Sequence, residues 1–205
     1  MKISYAIPVC NEWMQLEYLL GYLFKHKRDQ DEIVVQCDEG NTTPSVYQVL
    51  EQYKDKIQIV EFPLNKDFAS FKNNLKAHCS GDYIFQIDAD EYPDEYLMST
   101  IEWLITNNDN VDIFWVPRIN TVKGLTQEHI EKWRWNVGSD GRVNFPDYQC
   151  RIMKNVKRIK WKNKVHEVLT GFKTESQLPA NKEFCIHHPK TIDRQEQQNA
   201  FYDTI

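Results

Sequence analysis

Gly81-Asp82-Tyr83-Ile84-Phe85-Gln86-Ile87-Asp88-Ala89-Asp90-Glu91 is the stretch whose reading decides the fold. Residues 83–87 form a short apolar run of aromatic and β-branched side chains, as a strand buried on both faces requires, and it leads directly into three carboxylates. Before it, Ser80-Gly81 reads as a glycine-type end to a helix over 67–79. Toward the N-terminus the same alternation repeats. Strands are expected over 57–62, 32–37 and 3–9, and helices over 45–54 and 12–25. The 12–25 helix carries Trp13, Leu16, Leu20, Leu23 and Phe24 near helical spacing, and Asp38-Glu39-Gly40-Asn41 supplies turn chemistry after the second strand.

Strand-helix alternation with short connections implies right-handed crossovers and a mostly parallel sheet with helices on both faces. Ligands of such sheets sit beyond the carboxyl ends of the strands. Those ends carry Pro8-Val9-Cys10-Asn11-Glu12, Asp38-Glu39 and Asp88-Ala89-Asp90, so three polar clusters converge on one edge. After Pro93 the pattern changes to a helix over 94–107, strands over 112–117, 148–154 and 164–169, a loop-rich stretch over 121–146, and a polar helix over 192–205.

A chain of 205 residues suits one well-buried domain. A hydrophobic fraction of 41% and 13% aromatics support a real core. Twenty-five basic against 30 acidic side chains, a formal charge of −5, argue against a general nucleic-acid binder. The basic run Lys154, Lys157, Arg158, Lys160, Lys162 and Lys164 reads as the solvated face of a strand-turn-strand. No apolar run is long enough to span a bilayer, so no transmembrane segment is expected. The first residues are strand-like and show no signal-peptide pattern, and the five cysteines are scattered with no C-x-x-C pair. Reduced thiols and a cytoplasmic location are expected, and a zinc site is disfavoured.

Asp88 and Asp90 stand two apart at the end of a strand, so in extended chain both carboxylates aim at one centre. Two close carboxylates repel unless a cation lies between them, and oxygen ligands suit Mg²⁺ or Mn²⁺. Asp38 reads either as an Asx-turn residue or as an acceptor for a base N–H. Lys72, one helical turn from Phe68, reads either as a solvated lysine or as a charge aimed at phosphate.

Taken in order, Ile7-Pro8-Val9-Cys10-Asn11-Glu12, Glu32-Ile33-Val34-Val35 leading to Asp38-Glu39-Gly40-Asn41, residues 68–73, and Gly81-Asp82-Tyr83-Ile84 leading to Asp88-Ala89-Asp90-Glu91 resemble family 2 of the inverting glycosyltransferases, enzymes of the GT-A fold. The resemblance covers about the first half of the chain. It implies one GT-A domain over 1–205, with a nucleotide-sugar-binding half over 1–92 and a smaller mixed, acceptor-side half over 93–205. Pro8, Val9, Cys10, Glu12 and Asp38 would shape the nucleobase and ribose pocket. Lys72 would stand near base or phosphate, and Asp88 and Asp90 would serve ribose and metal. The expected donor is a nucleotide sugar, with a UDP-sugar favoured, and the acceptor a glycan, a lipid-linked molecule or another group.

The second half departs from the commonest pattern of that family. There is no Gln-x-x-Arg-Trp, the mark of processive synthases, so a single transfer is expected. There is no Glu-Asp pair to supply the base. Asp147-Tyr148-Gln149-Cys150-Arg151-Ile152 and Val165-His166-Glu167 instead resemble a bacterial branch that decorates lipopolysaccharide cores and related surface glycans. Glu167, which follows an apolar-then-His strand end that could face the donor pocket, is the expected general base, with Asp147 the fallback and His166 a metal ligand. Neighbouring residues point apart in a strand, so this pairing requires the strand to have ended by Glu167. His187-His188 is an alternative ligand source or loop packing, and Trp133, Trp135 and Trp161 read as sugar-stacking or core residues. The rival class is a catalytically silent nucleotide-sugar or glycan-binding module. A sugar nucleotidyltransferase would need a Gly-rich loop after the first strand, which Pro8-Val9-Cys10-Asn11 does not provide.

Overall fold

The computed structural model describes residues 1–202. Its frame is a nine-stranded sheet. The first four strands, β1 (Ile3–Val9), β2 (Glu32–Asp38), β3 (Gln58–Phe62) and β4 (Tyr83–Gln86), lie parallel in the order β3-β2-β1-β4. Helices α1 (Trp13–His26), α2 (Pro44–Glu51) and α3 (Phe68–Ala77) form the crossovers.

Period-two alternation divides the core between the two faces of this sheet. Ile3, Tyr5, Ile7 and Val9 of β1 pack with Leu16, Leu19, Leu20 and Leu23 of α1 on one face, while Ala6 and Val34 join Ala69 and Leu75 of α3 on the other. Gln36, fully buried on the α3 face, donates to the Phe71 carbonyl at 2.7 Å and accepts from Asn74 at 2.8 Å, so its polarity is satisfied. Gly81 is required by close approach rather than by a left-handed cap. A Cβ there would lie 2.7 Å from the Ser4 nitrogen, and α3 already closes at His78 in right-handed conformation.

The sheet continues past residue 92 with mixed direction. β5 (Tyr92–Pro93) and α4 (Glu95–Thr106) lead into β6 (Ile113–Lys123), then α5 (Gln127–Trp133) and β7 (Val143–Lys154). β7 runs antiparallel to both β4 and β6, which makes it the seam between the two halves. β6 and β7 are longer than the sequence pattern implies and take up much of the expected loop over 121–146. The rest of that stretch holds α5, with Trp133 and Trp135 packed at 4.7 Å between ring centroids.

β8 (Lys160–Lys162) and β9 (Val168–Thr170) form a separate antiparallel ribbon. The strand expected over 164–169 is largely the loop between them. β10 (Glu175–Gln177) pairs with the start of β6, and β11 (Ile186–Thr191) pairs with its end. The chain then forms α6 (Ile192–Tyr202), so the last residues of the helix expected over 192–205 lie outside the described part. All five cysteines are free thiols, and no helix among the described residues is long and apolar enough to cross a membrane.

Candidate functional site

The carboxyl ends of β1, β2 and β4 meet at one edge, as parallel topology requires. At β1, Oε2 of Glu12 accepts the backbone N–H groups of Cys10 and Asn11, both at 3.0 Å, and its other oxygen pairs with Arg194 of α6. Glu12 therefore shapes the loop at the strand end. Asp38 is buried. Its Oδ1 accepts the Leu64 N–H at 2.8 Å, and its Oδ2 accepts from Asn41 at 3.2 Å. The Cys10 thiol lies close by, where burial, Asp38 and Glu12 push it up to about 11.

β4 stops at Gln86, and Asp88 to Glu91 form a turn closed by Glu91 N–H to the Asp88 carbonyl at 2.9 Å. The two aspartates therefore do not project as neighbours on one strand face. Asp88 turns to Arg151 of β7, while Asp90 turns to His188 of β11, with 3.5 Å between Oδ2 and Nε2. Burial raises the Asp88 pKa, but Arg151 and Lys72 outweigh it and hold the carboxyl well below the usual range. Burial likewise opposes ionisation of Asp90, and His188 and Lys190 overcome it in the same direction.

Beneath the turn lies a network of buried charge. The Glu91 side chain is fully enclosed and its Oε1 accepts from Arg151 at 2.6 Å and from Arg118 at 2.9 Å. Arg118 continues to Asp147, which also accepts from Asn120 at 2.8 Å and Gln149 at 2.7 Å. Burial alone would raise the Asp147 pKa, yet these donors hold it below the ordinary carboxylate value. The cross-strand register explains the contacts, because Arg118 faces Asp147 and His188 faces Asn120.

Asn120 orients the imidazole. Its amide nitrogen donates to Asp147, so its Oδ1 faces Nδ1 of His188 at 2.7 Å and accepts the proton carried there. Nε2 is left aimed at Asp90. When protonated it pairs with the carboxylate. A neutral imidazole beside a carboxylate, with its Nδ1 proton fixed by an outer partner, is a donor arrangement of the kind found at many metal-bound histidines. This donor set fits Mn²⁺ or Mg²⁺. Among the described residues no three His, Cys, Asp or Glu side chains close on one point, so ligand oxygens and water would complete the shell.

A family model described as Glycosyl transferase family 2 matches residues 4–192. The chain belongs to glycosyl transferase family 2. Among solved structures it is similar to residues 1–349 of TarS from S. aureus, at 15% identity and a TM-score of 0.65, covering 92% of this chain and 60% of that one. The same TarS segment in complex with UDP matches at 16% identity and a TM-score of 0.64, over 92% and 60% of the two chains. In complex with UDP-GlcNAc it matches at 17% identity and a TM-score of 0.64, over 93% and 59%. The chain thus spans about three fifths of that segment, and likeness at such identities concerns the GT-A fold alone.

Within this family 2 fold the residues singled out from sequence are distributed unevenly. Pro8, Val9, Cys10, Glu12, Asp38, Asp88 and Asp90 lie on the loops and strand ends of the carboxyl edge. Lys72 and Glu167 face each other as an ion pair, with the Lys72 ammonium 4.7 Å above the Trp161 ring. Asn73 holds the backbone of Trp161 at both its N–H and its carbonyl, each at 2.9 Å, and so pins the β8–β9 ribbon to α3.

The β8 strand has ended before Glu167, as its expected role required. The residue before it, His166, has a left-handed backbone (φ 53°) and points into the open while Glu167 turns inward. Here it is His188, not His166, that stands against Asp90. His187, one residue along β11 and so on the other face, packs on Tyr92 at 4.9 Å and approaches Asp94 at 3.3 Å.

Sequence reasoning left out Glu91, Arg118, Asn120 and Arg151. A signal was present in the alternation of Asp147, Gln149 and Arg151, which puts three polar side chains on one face of a strand expected to be buried.

Proposed function

We propose that this chain transfers a single sugar from a nucleotide-sugar donor, with a UDP-sugar favoured, to a glycan or lipid-linked acceptor, by a divalent-metal-assisted, inverting reaction. One observation carries the reading, the Asp90–His188 pair with its imidazole oriented by Asn120. The family membership and the complexes of TarS with UDP and UDP-GlcNAc support the donor class.

In this scheme the loop at Pro8, Val9 and Cys10, shaped by Glu12, and the Asp38 turn line the base and ribose. Asp38 has already given Oδ1 to Leu64, so a base N–H would be received at its remaining lone pairs. Asp88, kept ionised by Arg151, accepts from a ribose hydroxyl. Asp90 and His188 would hold the cation, which when bound neutralises charge gathering on the departing diphosphate.

The acceptor hydroxyl must lose a proton as the anomeric carbon is attacked from the face opposite the leaving group. Glu167 is the base in this reading, freed when Lys72 exchanges it for a donor oxygen. Asp147 suits the role less well, because its donors and lowered pKa favour the form that keeps no proton.

Calorimetry with UDP tests the metal. Binding of UDP is expected to be tight with Mn²⁺, weak in EDTA, and insensitive to Mn²⁺ in Asp90→Asn. Equal affinity for UDP in EDTA and in Mn²⁺ removes the cation from the proposal.

A further inference from the structure

We infer that Lys190 binds the donor's diphosphate, its ammonium taking an oxygen of the terminal phosphoryl group. The inference deepens the donor reading above and rests on it.

The observation is an imbalance among the cations around the aspartate turn. Arg151 is paired with Asp88 and Glu91, Arg118 with Glu91 and Asp147, Lys72 with Glu167, and Arg194 with Glu12. Among the described cations at this edge Lys190 differs. Its Nζ donates to the neutral side-chain oxygen of Gln198 on α6, with no carboxylate of a described residue at ion-pair distance. An ammonium carries three donors, and one neutral amide oxygen satisfies only one of them. Holding a half-buried charge with so little compensation is costly unless an anion arrives to take the remaining donors.

Position supplies the second argument. Along β11 the burial alternates, with Ile186, His188 and Lys190 on the more enclosed side and Pro189 and Thr191 exposed. His188 and Lys190 therefore project to the same face, roughly 7 Å apart along the strand. A cation held by Asp90 and His188 would meet one part of a diphosphate, and the Lys190 ammonium would meet the next. Of the acidic groups nearby, Asp88 and Glu91 are already paired with arginines, and Asp90, whose charge Lys190 also feels, is engaged by His188 and makes no ion pair with the lysine. Gln198 holds the ammonium in place in the absence of ligand, and a phosphate oxygen, a stronger charge-assisted acceptor, displaces that amide.

The test is calorimetry in Mn²⁺ with UDP and UMP, on the native chain, Lys190→Met and Gln198→Glu. Lys190→Met is expected to weaken UDP binding by about tenfold or more and to shift UMP, which lacks the second phosphoryl group, by much less. Gln198→Glu, a substitution on a surface helix, pairs the lysine internally and should weaken UDP in the same direction. It carries the test alone if Lys190→Met does not fold. Unchanged UDP affinity in the folded variants overturns the inference, as does an equal loss for UDP and UMP, which would make Lys190 a support of the pocket. A native chain that binds none of UDP, GDP, CDP and ADP fails differently, because it sinks the donor reading itself.

Discussion

The two halves of the sheet hold their polar groups in different ways. In the parallel half, carboxylates at strand ends and helix starts mostly accept backbone N–H groups. Glu12 accepts the Cys10 and Asn11 N–H groups, Asp67 caps α3 through the Ser70 N–H at 2.9 Å, and Asp38 accepts the Leu64 N–H at 2.8 Å beside the Asn41 amide of its own turn. In the mixed half, polar side chains on neighbouring strands bond one another across long stretches of chain. Arg151 reaches back to Asp88 and Glu91, Arg118 joins Glu91 to Asp147, and Asn120 links Asp147 to His188. Local caps can be exchanged one at a time. The buried network stands or falls together, because each member removed leaves a charge without a partner.

The largest test of that contrast is Arg151→Met. It leaves the enclosed Glu91 with Arg118 as its remaining arginine, and breaking such a pair costs about 3–5 kcal/mol, read as a lower urea midpoint with an unchanged slope. A native-like midpoint would show that Arg118 alone neutralises Glu91 and that the network divides into independent pairs.

A smaller effect is expected at Glu32, in the parallel half but held from a distance. Burial raises its pKa, yet Lys2, Ser4 and Ser80 bring it down to about 2 from the ordinary 4.5. A depressed folded-state pKa contributes stability that is complete above the unfolded value and is lost as pH falls through the folded one. The contribution should therefore disappear between about pH 4.5 and pH 2. Glu32→Gln should lower stability at pH 7 by about 1–3 kcal/mol and flatten the acid limb of a pH-stability curve across that window. A curve of unchanged shape would mean that the contacts at the start of the sheet do not couple to folding.

The smallest change belongs to a local cap. Asp67→Ala removes the acceptor for the Ser70 N–H and should cost about 1 kcal/mol, seen as a modest fall in melting temperature. A loss as large as that of Arg151→Met would erase the distinction between the two halves.

The legibility of the site follows the same division. Strand ends within a residue of 9, 38 and 86 were readable because hydrophobic periodicity and turn residues are local signals, and parallel topology brings those ends to one edge whatever the side chains do. The Asp88–Asp90 pair was readable as a cluster, although its shared aim was not. That expectation assumed extended chain, and the turn closed by Glu91 sends the two carboxylates to different partners. His166 and His188 were both visible as histidines. Nothing within a few residues of either says which one stands beside Asp90, because that depends on the β6–β11 register and on the left-handed backbone at His166.

By itself the sequence determined the α/β alternation, the parallel half with its helical crossovers, and the edge at which polar loops collect. Each of these follows from the periodicity of neighbouring side chains and from the stereochemistry of short connections. Only the tertiary structure decided that β7 runs antiparallel between β4 and β6, which sets Arg151 beneath the aspartate turn. It likewise decided that β11 delivers His188 and Lys190 to the same place, and that Glu167 folds onto Lys72. Those outcomes rest on pairing between strands far apart in the chain, where one step of register turns a side chain to the opposite face.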